Sequence, residues 1–122
     1  MDCDPHEPVA ERRVGGEWLS LYRARADSLH VVRHDGDYDK RAHVAGEYDG
    51  EADYYGFDFL ADSEERVAYW TWETGEEPYP TPTAKPAAAV PEDVRSFLAA
   101  NGYDVVDAER MLRGGEYVFV ER

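Results

Sequence analysis

The sequence predicts a single α+β domain: an antiparallel β-sheet of five to seven strands in a meander, one main α-helix on one face, and a C-terminal β-hairpin. Three observations carry this. Short runs dense in Tyr, Trp, Phe and Val alternate with turns built on Asp and Gly between residues 14 and 73. A narrow apolar stripe of helical period follows Pro91. The runs Arg110-Met111-Leu112-Arg113 and Glu116-Tyr117-Val118-Phe119-Val120 flank Gly114-Gly115 near the end. The connections between the early strands are short, so neighbours in sequence are expected to pair antiparallel. A length of 122 residues suits one domain.

Residues 1–13 are polar, carry two prolines and no periodicity, and are read as a loose N-terminal segment ahead of a domain over 14–122. Glu17-Trp18-Leu19-Ser20-Leu21-Tyr22 reads as the first strand, with a helix running through Arg23-Ala24-Arg25-Ala26 as the alternative. Asp27-Ser28 would turn the chain into Leu29-His30-Val31-Val32-Arg33, a β-branched run. Asp35-Gly36-Asp37 signals the next turn. Strands are expected over 43–48 and 54–60, separated by Asp49-Gly50-Glu51, and again over 66–73.

Residues 74–91 hold Pro78, Pro80, Pro82, Pro86 and Pro91. Alternating proline disfavours a ladder, so this stretch is read as a crossing loop from sheet to helix. The helix is expected over about 92–101. Pro91 suits its start, Glu92 and Asp93 complement the dipole in the first turn, and Val94, Phe97 and Leu98 form the stripe. Gly102 supplies the C-terminal cap. Segment 107–113 reads as the first arm of the hairpin, with a short helix as the alternative; Arg113 would face Glu116 across Gly114-Gly115.

The charge is lopsided: 27 Asp and Glu against 13 Lys and Arg, a formal net charge of -14. Only Lys40 and Lys85 are lysines, Ile and Gln are absent, and Asn101 is the sole Asn. This composition resembles that of haloarchaeal proteins, which work in molar internal salt. The resemblance implies a cytoplasmic protein whose acids keep it soluble, with salt cations held loosely at the surface. At about 1 M salt the Debye length is roughly 3 Å, and surface carboxylates no longer repel one another. The alternative is an acidic mimic of nucleic acid that inhibits a DNA- or RNA-binding protein. Direct contact with nucleic acid or an anionic membrane is not expected, because no stretch has a basic excess beyond Arg12-Arg13 and Arg23-Ala24-Arg25. No apolar run of about 18 residues exists, and the N-terminus lacks the regions of a signal peptide.

No chemical motif survives its context. Cys3-Asp4-Pro5-His6 has a zinc-like gap without a second pair, and Cys3 is the only cysteine. His30 and His34 would share a strand face about 13 Å apart at ~3.3 Å per residue, too far for one ion; His43 stands apart from both in sequence. Asp35-x-Asp37-x-Asp39 opens like a calcium loop, but Lys40 and Gly46 stand where Gly and Glu are required. Ser20, Ser28, Ser63 and Ser96 lack the strained Gly-x-Ser-x-Gly turn of a nucleophile. Accordingly no metal, cofactor or catalytic residue is assigned, and an enzyme with a carboxylate-lined pocket ranks third among the functions.

The aromatic strands are the feature that charge does not explain. Alternation puts Tyr55, Phe57 and Phe59 on one face; Trp70 and Trp72 share a face of the next strand. One helix cannot cover rings on both sides of a sheet. These five residues are therefore the candidate interaction or ligand face. They are expected to serve a small non-catalytic binding module, through homodimerisation, an unknown protein partner or a small apolar ligand.

Overall fold

The computed structural model describes residues 6–25, 28–36, 38–48, 50–73 and 81–122; the side chains of 24–25, 72–73 and 81–82 lie outside the description. The chain divides into two units, Met1–Tyr55 and Gly56–Arg122.

In the N-terminal unit β1 (Ala10–Val14), β2 (Glu17–Arg25) and β3 (Ser28–His34) form successive antiparallel pairs. β1 begins inside the segment read from sequence as loose, because Glu11 and Arg13 sit opposite Ser20 and Trp18 and complete a hairpin around Gly15-Gly16. Trp18–Tyr22 is strand, as its aromatic density predicts. Register decides what each face presents. Leu19 and Leu21 share a face with Leu29 and Val31, all buried. The opposite face carries Ser20, Tyr22, His30, Val32 and His34.

The strand expected over 43–48 is not there. Lys40–Val44 is a short helix, α1, and among the described residues no strand follows before residue 53. The cause is Asp39, whose carboxylate accepts from Arg41 N at 3.0 Å and Ala42 N at 3.3 Å. An N-cap of this kind satisfies otherwise orphaned donors and outweighs the β-preference of a single Val44.

β4 (Asp53–Phe59) leads into the C-terminal unit, where it pairs antiparallel with β5 (Arg66–Glu73). β6 (Thr81–Lys85) adds to β5 antiparallel. This corrects the reading of 74–91 as wholly non-ladder. Among the described residues β6 pairs with β5 alone and so stands at the sheet edge, where proline is tolerated. A single 3-10 turn at Ala87–Ala89 precedes α2 (Glu92–Ala100), which buries Val94, Phe97 and Leu98 as the stripe predicts.

After α2, β7 (Asp104–Val105) pairs parallel with the start of β5. The sheet is therefore mixed, where a purely antiparallel meander was expected. β6 reverses the chain and the α2 connection reverses it again, so β7 runs in the direction of β5 and pairs with it in parallel. β8 (Ala108–Arg113) and β9 (Glu116–Glu121) form the C-terminal hairpin as a separate two-stranded sheet. Gly114 and Gly115 take φ of 61° and 85°, which favour glycine at both turn positions, and Arg113 does face Glu116. Its Ala108 and Phe119 close a buried cluster with Leu60 and Ala68. Among the described residues no helix is long and apolar enough to cross a membrane.

Candidate functional site

The five aromatic candidates do not form one face. Phe57 lies opposite Tyr69, ring to ring at 5.5 Å, and Phe59 lies opposite Val67 with its ring 5.8 Å from Tyr103. Phe57 is 0% exposed. Trp70 points the other way, with Gly56, Asp58 and Ala68. Its Nε1 donates to Asp58 Oδ1 at 3.0 Å, and its ring packs on the Leu60–Phe119 cluster. A Cβ on Gly56 would lie 3.1 Å from the Trp70 ring, so the glycine makes the seat for the indole. Tyr55 is half-buried at the end of the N-terminal unit, and the Trp72 side chain lies outside the described residues.

The buried polar residues point elsewhere. Among the described residues they are Ser20, Ser28, His34 and Lys40, all in the N-terminal unit. Three of these line one cleft of about 550 Å³, together with Glu11, Tyr22 and Tyr38. Two clefts in the C-terminal unit, about 490 and 690 Å³, are lined by no buried charged residue among those described.

One wall of the cleft is a hydrogen-bond chain whose direction is fixed. Gly36 N donates to His34 Nδ1 at 3.1 Å, so Nδ1 is the unprotonated nitrogen. Nε2 then carries the hydrogen and donates to Ser20 Oγ at 2.7 Å. Ser20 in turn donates to Glu11 Oε2 at 3.2 Å, across the β1–β2 ladder. The polarity is opposite to that of a catalytic serine, where histidine must accept the hydroxyl proton. Burial lowers the His34 pKa, against the opposing pull of Glu11 and Asp35. In this arrangement His34 is not set to accept the proton of Ser20, which is itself 1% exposed.

Tyr22 and Tyr38 also line the cleft, and behind them lies an aromatic cluster. Tyr38 stacks on His34 at 5.4 Å, meets Tyr22 edge-on at 6.1 Å and Tyr48 at 5.1 Å, and its hydroxyl lies 2.6 Å from His43 Nδ1. Tyr54 meets His30 at 4.9 Å and His43 at 5.6 Å. Although three histidines gather here, no group of metal-ligating side chains is found among the described residues; Cys3 of the zinc-like pair lies outside them.

Lys40 stands at the start of α1 and is 5% exposed. Its Nζ lies 4.6 Å above the Tyr22 ring, 5.9 Å from the Tyr54 ring, and 3.3 Å from His30 Nδ1. The Tyr54 hydroxyl reaches the same Nδ1 at 2.9 Å. No carboxylate pairs with Lys40 among the described residues. Burial lowers its pKa to about 8.

Burial first, and Glu11 second, pushes Tyr22 up to about 12; burial and Tyr22 push Tyr54 to about 12, and Tyr38 rises for the same first cause. These shifts set a pH profile. The Lys40 contribution to stability is complete above its ordinary 10.5 and is lost as pH falls through about 8. The tyrosine contributions are complete below the ordinary 10.0 and are lost as pH rises through about 12. Denaturant midpoints at constant salt are expected to rise from pH 8 to 10 and fall beyond. Lys40→Met should flatten the rising limb only. A midpoint falling steadily from pH 8 would contradict the arrangement.

Sequence reasoning passed over this cluster. Its signals were present but faint: the period-two spacing of Ser20-x-Tyr22 and His30-x-Val32-x-His34, and a rare lysine at 40. Comparison of the chain with protein-family models, with curated proteins and with solved structures gives no match.

Proposed function

We propose that this chain is a small non-catalytic binding module whose site is the Lys40 cleft of the N-terminal unit. The ligand is a small polar molecule that presents an oxygen acceptor. The observation that carries this reading is Lys40. An ammonium has three N–H donors. One is directed at His30 Nδ1, and no ion pair uses the others among the described residues. In a chain with 27 acids, a buried cation lacking a carboxylate leaves room for an acceptor brought from outside. The orienting His34–Ser20–Glu11 wall and the tyrosine rings suit a ligand held by hydrogen bonds and ring faces.

The setting we propose is the cytoplasm of a salt-in halophile, on the strength of the acidic, lysine-poor composition. The aromatic strands retain a lesser part in this reading, as core that supports the fold, with self-association assigned to no particular face.

Thermal-shift and NMR titration with formate, acetate, glyoxylate and acetaldehyde test the site. Binding is expected to perturb Tyr22, Tyr38 and His34. Lys40→Met should weaken it by about tenfold or more, since a charged hydrogen bond contributes about 1.5–3 kcal/mol. Unchanged affinity in the variant, or no response to any of the four, rejects the reading.

A further inference from the structure

We propose that Lys40 is the amine of a covalent capture site: its Nζ condenses reversibly with the carbonyl carbon of a small aldehyde or 2-oxo acid held in the N-terminal cleft. This rests on the reading of that cleft as a ligand site and names the ligand class.

The first argument is the choice of residue. Every cation of the chain other than Lys40 and Lys85 is an arginine. Arginine stays charged in proteins and pairs well with oxyanions; lysine alone can shed its proton and become a nucleophile. A lysine at the most buried cationic position among the described residues offers a property that arginine lacks. The second argument is placement. Lys40, the first residue of α1, lines the cleft beside Tyr22 and is 5% exposed; its Nζ lies 4.6 Å from the Tyr22 ring and 5.9 Å from that of Tyr54. Desolvation of this kind favours the neutral amine and is how lysine nucleophiles are activated. The third is a proton acceptor in reach, His30 Nδ1 at 3.3 Å, with the Tyr54 hydroxyl at 2.9 Å from the same nitrogen.

The step balances without oxidant or reductant. The ammonium passes one proton to His30 Nδ1. The freed lone pair forms an N–C bond as the carbonyl π pair moves to oxygen. A proton shifts from nitrogen to that oxygen, giving the carbinolamine. The proton on His30 then goes to the hydroxyl, the C–O bond breaks, water leaves with the bonding pair, and the nitrogen lone pair closes the C=N bond. Overall, ammonium plus carbonyl gives iminium plus water.

With two lysines the experiment reads cleanly. The folded protein is incubated with glyoxylate and sodium cyanoborohydride, and reduced adducts are located by peptide mapping. A lysine held at about 8 carries on the order of a hundredfold more free base at neutral pH than one at 10.5. Its lower basicity takes back part of that gain, so Lys40 is expected to carry about tenfold more adduct in the folded protein than in denaturant, with Lys85 as the internal reference. Lys40→Arg should lose the adduct while keeping its circular dichroism. Adduct absent from Lys40, or no richer there in the folded protein than in denaturant, overturns the proposal. If glyoxylate binding still depends on Lys40 in that case, the cleft remains a reversible site and only the covalent step falls. If neither adduct nor binding is seen, both fall.

Discussion

Moved from about 3 M to about 0.1 M KCl, the protein is expected to lose its cooperative fold. The Debye length lengthens from under about 3 Å to about 10 Å over that range, so carboxylates that ignored one another at high salt begin to repel across the surface. The formal net charge of -14 on 122 residues leaves few cations to offset this. Among the described residues no Asp or Glu is buried, so their repulsion acts at the surface, where salt can screen it. Ion pairs such as Arg33–Glu17 at 4.0 Å and Arg113–Asp62 at 3.7 Å involve acids whose side chains are 56% and 88% exposed. Pairs of that kind contribute about 0–1 kcal/mol each and cannot balance the excess. Far-UV circular dichroism with denaturant titration at both salts makes the measurement. A full cooperative transition at 0.1 M would remove the halophilic reading and return the acids to the alternative of a phosphate mimic. In that case the acids should also lie in a band on one face.

What the sequence made legible was local. The hairpin over 108–121 followed from Gly-Gly between two apolar-rich runs, because the turn has positive φ at both positions and glycine supplies it cheaply. α2 followed from a proline start, two first-turn acids and the stripe of Val94, Phe97 and Leu98. What failed was non-local or depended on one side chain. β7 is two residues long and has no pattern of its own; only its place beside Arg66 and Val67 makes it a strand. α1 depended on a cap at Asp39, a residue the sequence offered equally as part of an acidic turn. The candidate site was illegible for the first of these reasons. Ser20, Tyr22, His30 and His34 are ordinary residues taken singly, and the β2–β3 register alone puts them on one face. Lys40 was visible as a rarity but could not be placed without the helix that carries it inward.

Phe57→Ala is expected to destabilise the protein by about 3–5 kcal/mol, a large share of the about 5–15 kcal/mol by which an ordinary domain is stable. The ring is fully buried and packs against Tyr69 at 5.5 Å on the paired strand β5. Removing it costs the transfer free energy of the ring plus that of the cavity left between two strands held by their ladder. The same substitution decides what the aromatic strands are for. If Phe57 were an interface residue, its loss would dissociate an oligomer and leave the monomer fold nearly unchanged. As a core residue it should lower the denaturation midpoint in proportion, at high salt, with no change in sedimentation before unfolding. Leu112→Ser on β8 provides the contrast. Leu112 is 61% exposed opposite Tyr117, and its substitution should shift stability by no more than about 0.5 kcal/mol. A neutral Phe57→Ala, or one that changes the association state first, would restore the face of Tyr55, Phe57 and Phe59 as a surface for a partner and weaken the case for placing function in the N-terminal cleft.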